Sequence, residues 1–162
     1  MAEDVRSPDV PQPVLDGRGL RIAVVAARFN SHVTLRLLAG ARRVLAEVGV
    51  ADDDVTVTWV PGAFEGPLAA QAMAADHDAV ICLGCVIRGE TAHFEHVAGQ
   101  AAAGIMRVGL DTGKPVVFGV LTTDTLDQAL DRSLPDPGAH NVGAEGAAVA
   151  VEMVTLLRSV TA

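Results

Sequence analysis

Four short segments rich in Val and other apolar residues, each followed by a helical pattern, restrict the fold of this chain more than any other feature. The segments cover residues 20–27, 55–60, 79–83 and 115–122, and the third is the continuous apolar run typical of a strand buried on both faces. Strands that alternate with helices are joined by right-handed crossovers and lie parallel in one sheet. The sequence therefore predicts an α/β fold with a four-stranded parallel sheet between layers of helices.

The helical patterns are predicted to begin and end at recognisable residues. Asn30 or Ser31 is expected to cap the first helix, and Gly49 is expected to close it. The first predicted helix carries apolar residues from Val33 to Val48 on one face, and the second has Pro67 in its first turn and ends at about residue 75. The other three cover about residues 91–113, 123–132 and 142–160.

Residues 1–18 form a segment of a different kind, with Pro8, Pro11 and Pro13 among charged residues. Such a segment is predicted to be an extended arm that becomes ordered only where it docks on another surface. Residues 19–162 are predicted to form a single domain, since a chain of 162 residues can bury roughly two thirds of its unfolded surface.

The composition excludes some classes of protein. A net charge of −8 argues against nucleic-acid binding, which needs clustered Lys and Arg. The sequence has no run near the roughly 20 apolar residues that span a membrane, and its N-terminus lacks the features of a signal peptide. We therefore expect a cytoplasmic protein that binds neither nucleic acid nor a membrane.

Cys82 and Cys85 form a C-x-x-C pattern, but they lie in the third strand and at its exit. Side chains three residues apart on a strand point to opposite faces, so a disulfide or shared metal ligation is disfavoured. A zinc site would also need two further ligands. We expect two thiols and no metal, with Cys85 at the wall of a pocket.

The loops that follow the strands are candidates for one shared site, because ligands gather at the carboxyl ends of parallel strands. Those loops are residues 28–31, 61–65, 84–93 and 122–124.

The loop after the third strand resembles a phosphate-binding loop. Gly84, Gly89 and Thr91 fit the P-loop spacing, but Glu90 stands where a Lys should reach the phosphates, which argues against a nucleoside triphosphate. A single phosphate on the amides at the helix start remains feasible, with an Arg to complete the site. Arg88 and Arg132 are the nearest cations by topology. An ordinary turn between strand and helix is the alternative.

His93 is a candidate proton carrier, because imidazole both takes and gives protons near neutral pH; the alternative is a polar surface or capping group. Glu95 and His96 are expected to point to other faces of the helix. Phe29 is placed to stack on a flat heterocycle or to cover the core, and Phe64 and Phe118 leave the same choice open. Glu65 is expected to act at a helix start or, alternatively, to bind ligand hydroxyls.

Together these loops resemble those of the lumazine synthase family. The similar segments are Ala27-Arg28-Phe29-Asn30, Val60-Pro61-Gly62-Ala63-Phe64-Glu65, Leu83-Gly84, Val86-Ile87-Arg88-Gly89, Thr91, His93, Phe118-Gly119-Val120-Leu121-Thr122-Thr123 and Ala129-Leu130-Asp131-Arg132. They occur in the family's order over about residues 20–160, so coincidence is a poor explanation.

The resemblance implies a three-layer αβα sandwich of the flavodoxin-like type, assembled as homopentamers, in which residues 1–18 add a strand to a neighbouring subunit's sheet. It implies that 5-amino-6-(D-ribitylamino)uracil condenses with 3,4-dihydroxy-2-butanone 4-phosphate. The products are 6,7-dimethyl-8-ribityllumazine, inorganic phosphate and water, and the reaction needs no cofactor and no metal.

The resemblance also assigns roles to single residues. Phe29 stacks on the pyrimidine ring, and Ala63, Phe64 and Glu65 hold the ribityl chain. The heterocycle pocket is lined, mainly through backbone groups, by Cys85, Val86 and Ile87.

For the second substrate, the resemblance places the phosphate on Glu90 and Thr91 through the amides at the helix start. Arg132 of an adjacent subunit neutralises that phosphate, and Phe118 of the same subunit closes the ring pocket. His93 is the proton-transfer residue.

The sequence departs from the family where many members carry a Lys in an Asn-Lys-Gly setting. Here the triplet is Asn141-Val142-Gly143, so a cation near the pyrimidine carbonyl is missing unless His140 substitutes for it. The loop of residues 133–140 is longer than in members that form sixty-subunit shells, which favours an isolated pentamer or a pair. Riboflavin synthase is a candidate partner.

Two alternative functions stay open from the sequence. One is a paralogue that binds a flavin or lumazine without turnover, and Val142 is its best support. The other is a structural shell or scaffold.

Overall fold

The structure, a computed structural model, describes residues 7–162. Its four strands are β1 (Ile22–Ala27), β2 (Val55–Val60), β3 (Ala79–Ile87) and β4 (Val116–Thr123). Its five α-helices are α1 (Ser31–Glu47), α2 (Gly66–Ala74), α3 (His93–Thr112), α4 (Leu126–Asp131) and α5 (Val142–Thr161). Short 3₁₀ turns cover Asp52–Asp54 and Ala63–Glu65.

The strands form one parallel sheet in the order β2-β1-β3-β4. The predicted α/β fold and its four strands are thus confirmed. The predicted limits differ by a few residues, most of all at the end of β3, which was expected at residue 83 and extends to Ile87. We expected α3 to begin at Thr91 and α4 to begin at residue 123, whereas the helices begin at His93 and Leu126.

Alternate side chains of each buried strand enter two separate cores. Ile22 and Val24 of β1 pack with α1 and α5, whereas Ala23 and Val25 pack with α2 and α3. This alternation follows from the period of two residues along a strand. The predicted three-layer αβα sandwich is therefore confirmed.

The two cysteines follow the same alternation, since Cys82 belongs to the core under α2 and α3 and Cys85 to the core under α1 and α5. Both are free and buried. Burial raises the pKa of Cys82 to about 12 and that of Cys85 to about 11, so both thiols are protonated at neutral pH.

Helices α1 and α5 pack closely because glycines lie at their contact. A Cβ at Gly143 would overlap the backbone oxygen of Leu37, and a Cβ at Gly40 would overlap the side chain of Asn141. The buried Asn141 side chain accepts a hydrogen bond from Ala144 N (3.0 Å) and donates to the carbonyl oxygens of Arg36 (3.1 Å) and Leu134 (3.0 Å). Asn141 thus caps α5 and ties the preceding loop to α1.

Of the predicted arm, only residues 7–18 lie within the described part of the chain, and residues 7–14 are exposed. Gly17 N donates to Val48 O (2.7 Å), which anchors the segment where the domain begins. The added strand on a neighbouring subunit, and the division at residue 18, stay predictions. Among residues 7–162, no helix combines the length and the apolar character needed to cross a membrane.

Candidate active site

A groove of about 610 Å³ lies at the carboxyl ends of β1, β2 and β3, beside the start of α3. Three of the four loops that the sequence singled out supply most of its wall, whereas residues 122–124 do not line it. It is lined by Phe29, Pro61, Gly62, Ala63, Phe64, Glu65, Cys85, Val86, Ile87, Gly89, Thr91, His93, Phe94, His96 and Val97.

Most of the predicted site residues therefore lie around one groove. The three that do not line it are Glu90, Phe118 and Arg132. Phe118 lies instead in a second hollow of about 590 Å³, which we call the β4 hollow. Met106, Leu110, Val142 and Val149 also line the β4 hollow. One chain alone does not bring Phe118 and Arg132 to the groove.

Phe29 and Phe64 are exposed, with 71% and 55% of their surfaces accessible, so neither ring covers the core. The loop that carries Phe29 is fixed by backbone and side-chain bonds. Phe29 N donates to Pro61 O (3.1 Å), and Asn30 Nδ2 donates to Cys85 O (2.9 Å). Two exposed rings on a fixed loop arrangement give the groove a stable aromatic wall.

The sequence suggested a capping role for Asn30, but its side chain makes no capping hydrogen bond to α1. Its backbone is left-handed (φ 57°), and its amide joins the exits of β1 and β3. Asn30 is thus the N-cap residue by position, as expected, but its side chain is engaged by a contact that spans 55 positions and is not visible in the local sequence. Asn tolerates the left-handed conformation better than most residues.

Glu65 takes the helix-start role that we expected as its default. Its Oε2 accepts a hydrogen bond from Gly62 N (3.0 Å), which closes the 3₁₀ turn before α2. The carboxylate is still exposed at the groove, so it remains accessible to a ligand hydroxyl.

The loop between β3 and α3 leaves its backbone donors free. Within residues 7–162, no amide of Gly89, Glu90, Thr91 or Ala92 donates a hydrogen bond. His93 is the first residue of α3, and His93 N donates to Thr91 Oγ1 at 3.4 Å. Free amides and the positive end of a helix dipole make this loop suitable for an anion.

Arg88 is not a free cation beside that loop. Its Nε donates to Asp124 Oδ1 (2.8 Å), and its Nη1 is bonded to Glu95 Oε1. Both bonds raise the pKa of Arg88, and the bond to Asp124 has the larger effect. The bond to Arg88 in turn lowers the pKa of Glu95. The loop and its neighbours thus carry one guanidinium against three carboxylates, those of Glu90, Glu95 and Asp124.

His96 lies along the same groove as His93, contrary to the expectation that it points elsewhere. Residues three apart on a helix share a face, so the spacing itself could have shown this. Phe94 and Val97 were also missed, although their helical spacing is the same. Pro61, Gly62 and Gly89 line the groove with backbone and small groups that no side-chain pattern reveals.

The chain has a single lysine, Lys114, and it is not in the groove. Its Nζ donates to the carbonyl oxygens of Ala74 (2.6 Å), Ala75 (3.3 Å) and His77 (2.7 Å), where α2 ends. Lys114 therefore does not replace the expected family lysine. His140, the substitute that the sequence suggested, lies 3.4 Å from Glu145, measured from Nε2 to Oε1.

Comparison with known proteins agrees with this geometry. The sequence model of the 6,7-dimethyl-8-ribityllumazine synthase family matches residues 19–158. Two proteins named 6,7-dimethyl-8-ribityllumazine synthase, from two strains of Thermus thermophilus, are each 49% identical to this chain over 156 residues. Each alignment covers 95% of this chain and 98% of the relative. The chain belongs to the 6,7-dimethyl-8-ribityllumazine synthase family.

Proposed function

We propose that the protein is a transferase of riboflavin biosynthesis. It condenses 5-amino-6-(D-ribitylamino)uracil with 3,4-dihydroxy-2-butanone 4-phosphate to give 6,7-dimethyl-8-ribityllumazine, inorganic phosphate and water. The observation that carries the proposal is one groove that joins an aromatic wall to free amides at a helix start, beside an imidazole. Family membership supports this enzyme rather than a protein that only binds a flavin or lumazine.

The pyrimidine is proposed to stack on Phe29, whose ring is exposed and held by a fixed loop. Cys85, Val86 and Ile87 form the neighbouring wall. The protonated thiol of Cys85 is a weak nucleophile, so this residue is proposed to shape the pocket and not to react.

The ribityl chain is proposed to lie along Ala63, Phe64 and Glu65. The Glu65 carboxylate keeps acceptor capacity beyond its bond to Gly62 N, because a carboxylate has about four lone-pair sites. Those sites suit the hydroxyl groups of a sugar alcohol.

The phosphate of the second substrate is proposed to bind at Glu90 and Thr91 through the free amides of the loop. The carboxylates around the loop outnumber its one guanidinium, so the site needs a further cation. Arg132 of the partner subunit is proposed to supply it. In each chain, the backbone of Arg132 is held by the bond from Val142 N to Arg132 O (3.0 Å), which fixes where the side chain starts.

His93 is proposed to transfer protons. The amine of the pyrimidine attacks the ketone and loses water to give an imine, phosphate is then eliminated, and ring closure onto the remaining carbonyl releases a second water. Each step adds or removes a proton, and an imidazole at the groove suits both directions.

The assembly is proposed to be a homopentamer with its active sites between subunits, alone or as a pair of pentamers. Exposed apolar side chains at the β4 hollow support this, since Met106, Leu110, Phe118 and Val149 would otherwise face water. Phe118 of the partner subunit would then close the ring pocket.

We also propose a cytoplasmic location, and riboflavin synthase as a partner.

The test is a steady-state assay of the purified protein with both substrates. Lumazine absorbance and phosphate release should both rise above the uncatalysed condensation, in the ratio of one to one. Binding of the pyrimidine without phosphate release would refute the proposal and support the binding-only alternative. Light scattering on the same sample should give the mass of five or ten chains.

A further inference from the structure

Arg88 joins the ends of β3 and β4 to the first turn of α3, beside the groove. Its backbone N–H donates to Thr123 O (2.8 Å), one step beyond the end of β3. Its side chain bonds to Asp124 at the exit of β4 and to Glu95 in the first turn of α3. The guanidinium also lies over the Phe94 ring, with Cζ 4.2 Å from the ring centroid.

The loop that follows Arg88 has few other restraints. Its amides donate no hydrogen bonds within the described chain, and a Cβ at Gly89 would meet no atom within 4 Å. The shape of residues 89–92 therefore depends on the two ends of the loop. Arg88 contacts both ends, since it is itself the first end and its side chain bonds to Glu95 just beyond the other.

We propose that Arg88 is a positioning residue for the reaction. It holds residues 89–92 in the shape that presents their amides to the substrate's phosphate, and it fixes the Phe94 ring in the groove wall. Arg88 does not bind the phosphate itself, because two carboxylates already occupy its guanidinium. The inference rests on the proposed function.

The cluster adds little to the stability of the fold. The side chains of Arg88, Glu95 and Asp124 are 45%, 54% and 65% exposed. Exposed ion pairs contribute little to folding, so their removal should leave the protein folded. Loss of function without loss of stability is therefore the expected signature.

The direction in which substrate binding changes when Glu95 or Asp124 is neutralised distinguishes a positioning role of Arg88 from direct binding. If Arg88 bound the phosphate, neutralising Glu95 or Asp124 would free its charge and tighten binding. If Arg88 positions the loop, neutralising either carboxylate breaks the same bridge and weakens binding, as loss of Arg88 does. A purely long-range charge effect also gives opposite signs for the arginine and its carboxylates.

The experiment compares Arg88→Gln, Glu95→Gln and Asp124→Asn with wild type in steady-state kinetics. We expect KM for the butanone phosphate to rise about tenfold in Arg88→Gln, and less but in the same direction in the other two. KM for the pyrimidine should change less, and the melting temperature should stay the same. Arg88→Lys should resemble Arg88→Gln, because an ammonium cannot span both carboxylates as the planar fork does.

Asp127→Asn is the matched control. Asp127 is an exposed carboxylate in the first turn of α4 that makes no hydrogen bond or ion pair among residues 7–162, and its neutralisation should change neither KM. Tighter binding in Glu95→Gln or Asp124→Asn would overturn the inference, as would unchanged KM in all variants. If the wild-type protein itself releases no phosphate above background, the proposed function is refuted. That outcome is distinct from the results that would overturn the inference about Arg88.

Discussion

Lys114→Met tests how the second helix is terminated. α2 ends without a glycine, and its last carbonyl oxygens are bonded by side chains. The ring of His77 contacts Met73 O through Nδ1 (2.8 Å), and Lys114 Nζ bonds to Ala74, Ala75 and His77. A cation at a helix C-terminus also interacts favourably with the helix dipole.

The expected cost follows from those bonds. Hydrogen bonds to a charged group contribute about 1.5–3 kcal/mol each. Two of the three bonds are short, at 2.6 and 2.7 Å, but Lys114 is only half-buried and water can replace part of the loss. We therefore expect the free energy of unfolding to fall by about 2–3 kcal/mol, which for a chain of this size lowers Tm by about 4–12 °C.

Calorimetry at one fixed protein concentration measures this change, because the proposed assembly would make Tm depend on concentration. Arg107→Met is the control, since it also removes one cation. Arg107 is 81% exposed and, among residues 7–162, pairs only with Asp111 one helical turn away, so its loss should cost about 0.3–0.5 kcal/mol. Equal shifts in the two variants, or a Tm of Lys114→Met within about 1 °C of wild type, would refute the capping argument.

Three further predictions concern the groove. His93→Ala should lower turnover by about 10²-fold; unchanged turnover at saturating substrates would remove His93 from the mechanism. Arg132→Ala should raise KM for the butanone phosphate more than KM for the pyrimidine, and equal weakening of the binding of both substrates would contradict the assigned role of Arg132. Burial raises the pKa of Cys85 to about 11, so its alkylation by iodoacetamide should stay slow from pH 7 to 9 in the native protein and become fast after denaturation. Rapid alkylation of Cys85 in the native protein would contradict this prediction.

The strands and the sheet could be predicted because the relevant signal is local. Each buried strand shows its apolar character within a few residues, and the alternation with helices implies parallel pairing. The loops that form the groove could be placed for the same reason, since all of them follow strand ends. Phe29, Glu65 and His93 were identified in this way, and they do lie around one groove.

The contacts that shape the groove could not be predicted, because they join residues far apart in the sequence. The Asn30 amide bonds to Cys85 O instead of capping its own helix. Arg88 was considered a phosphate ligand, but its partner Asp124 lies 36 positions away and occupies the guanidinium. The roles proposed for Phe118 and Arg132 require a second subunit, so a single chain cannot display them.

The bonding of Lys114 has a consequence for side reactions. Ketose phosphates add spontaneously to primary amines, and a synthase that handles one is exposed to covalent damage at its own lysines. Here the one ε-amine is engaged by three carbonyl oxygens, while every other basic side chain is that of an arginine or a histidine. Incubation with the ketone phosphate and a borohydride reductant should therefore leave Lys114 unmodified in the folded protein.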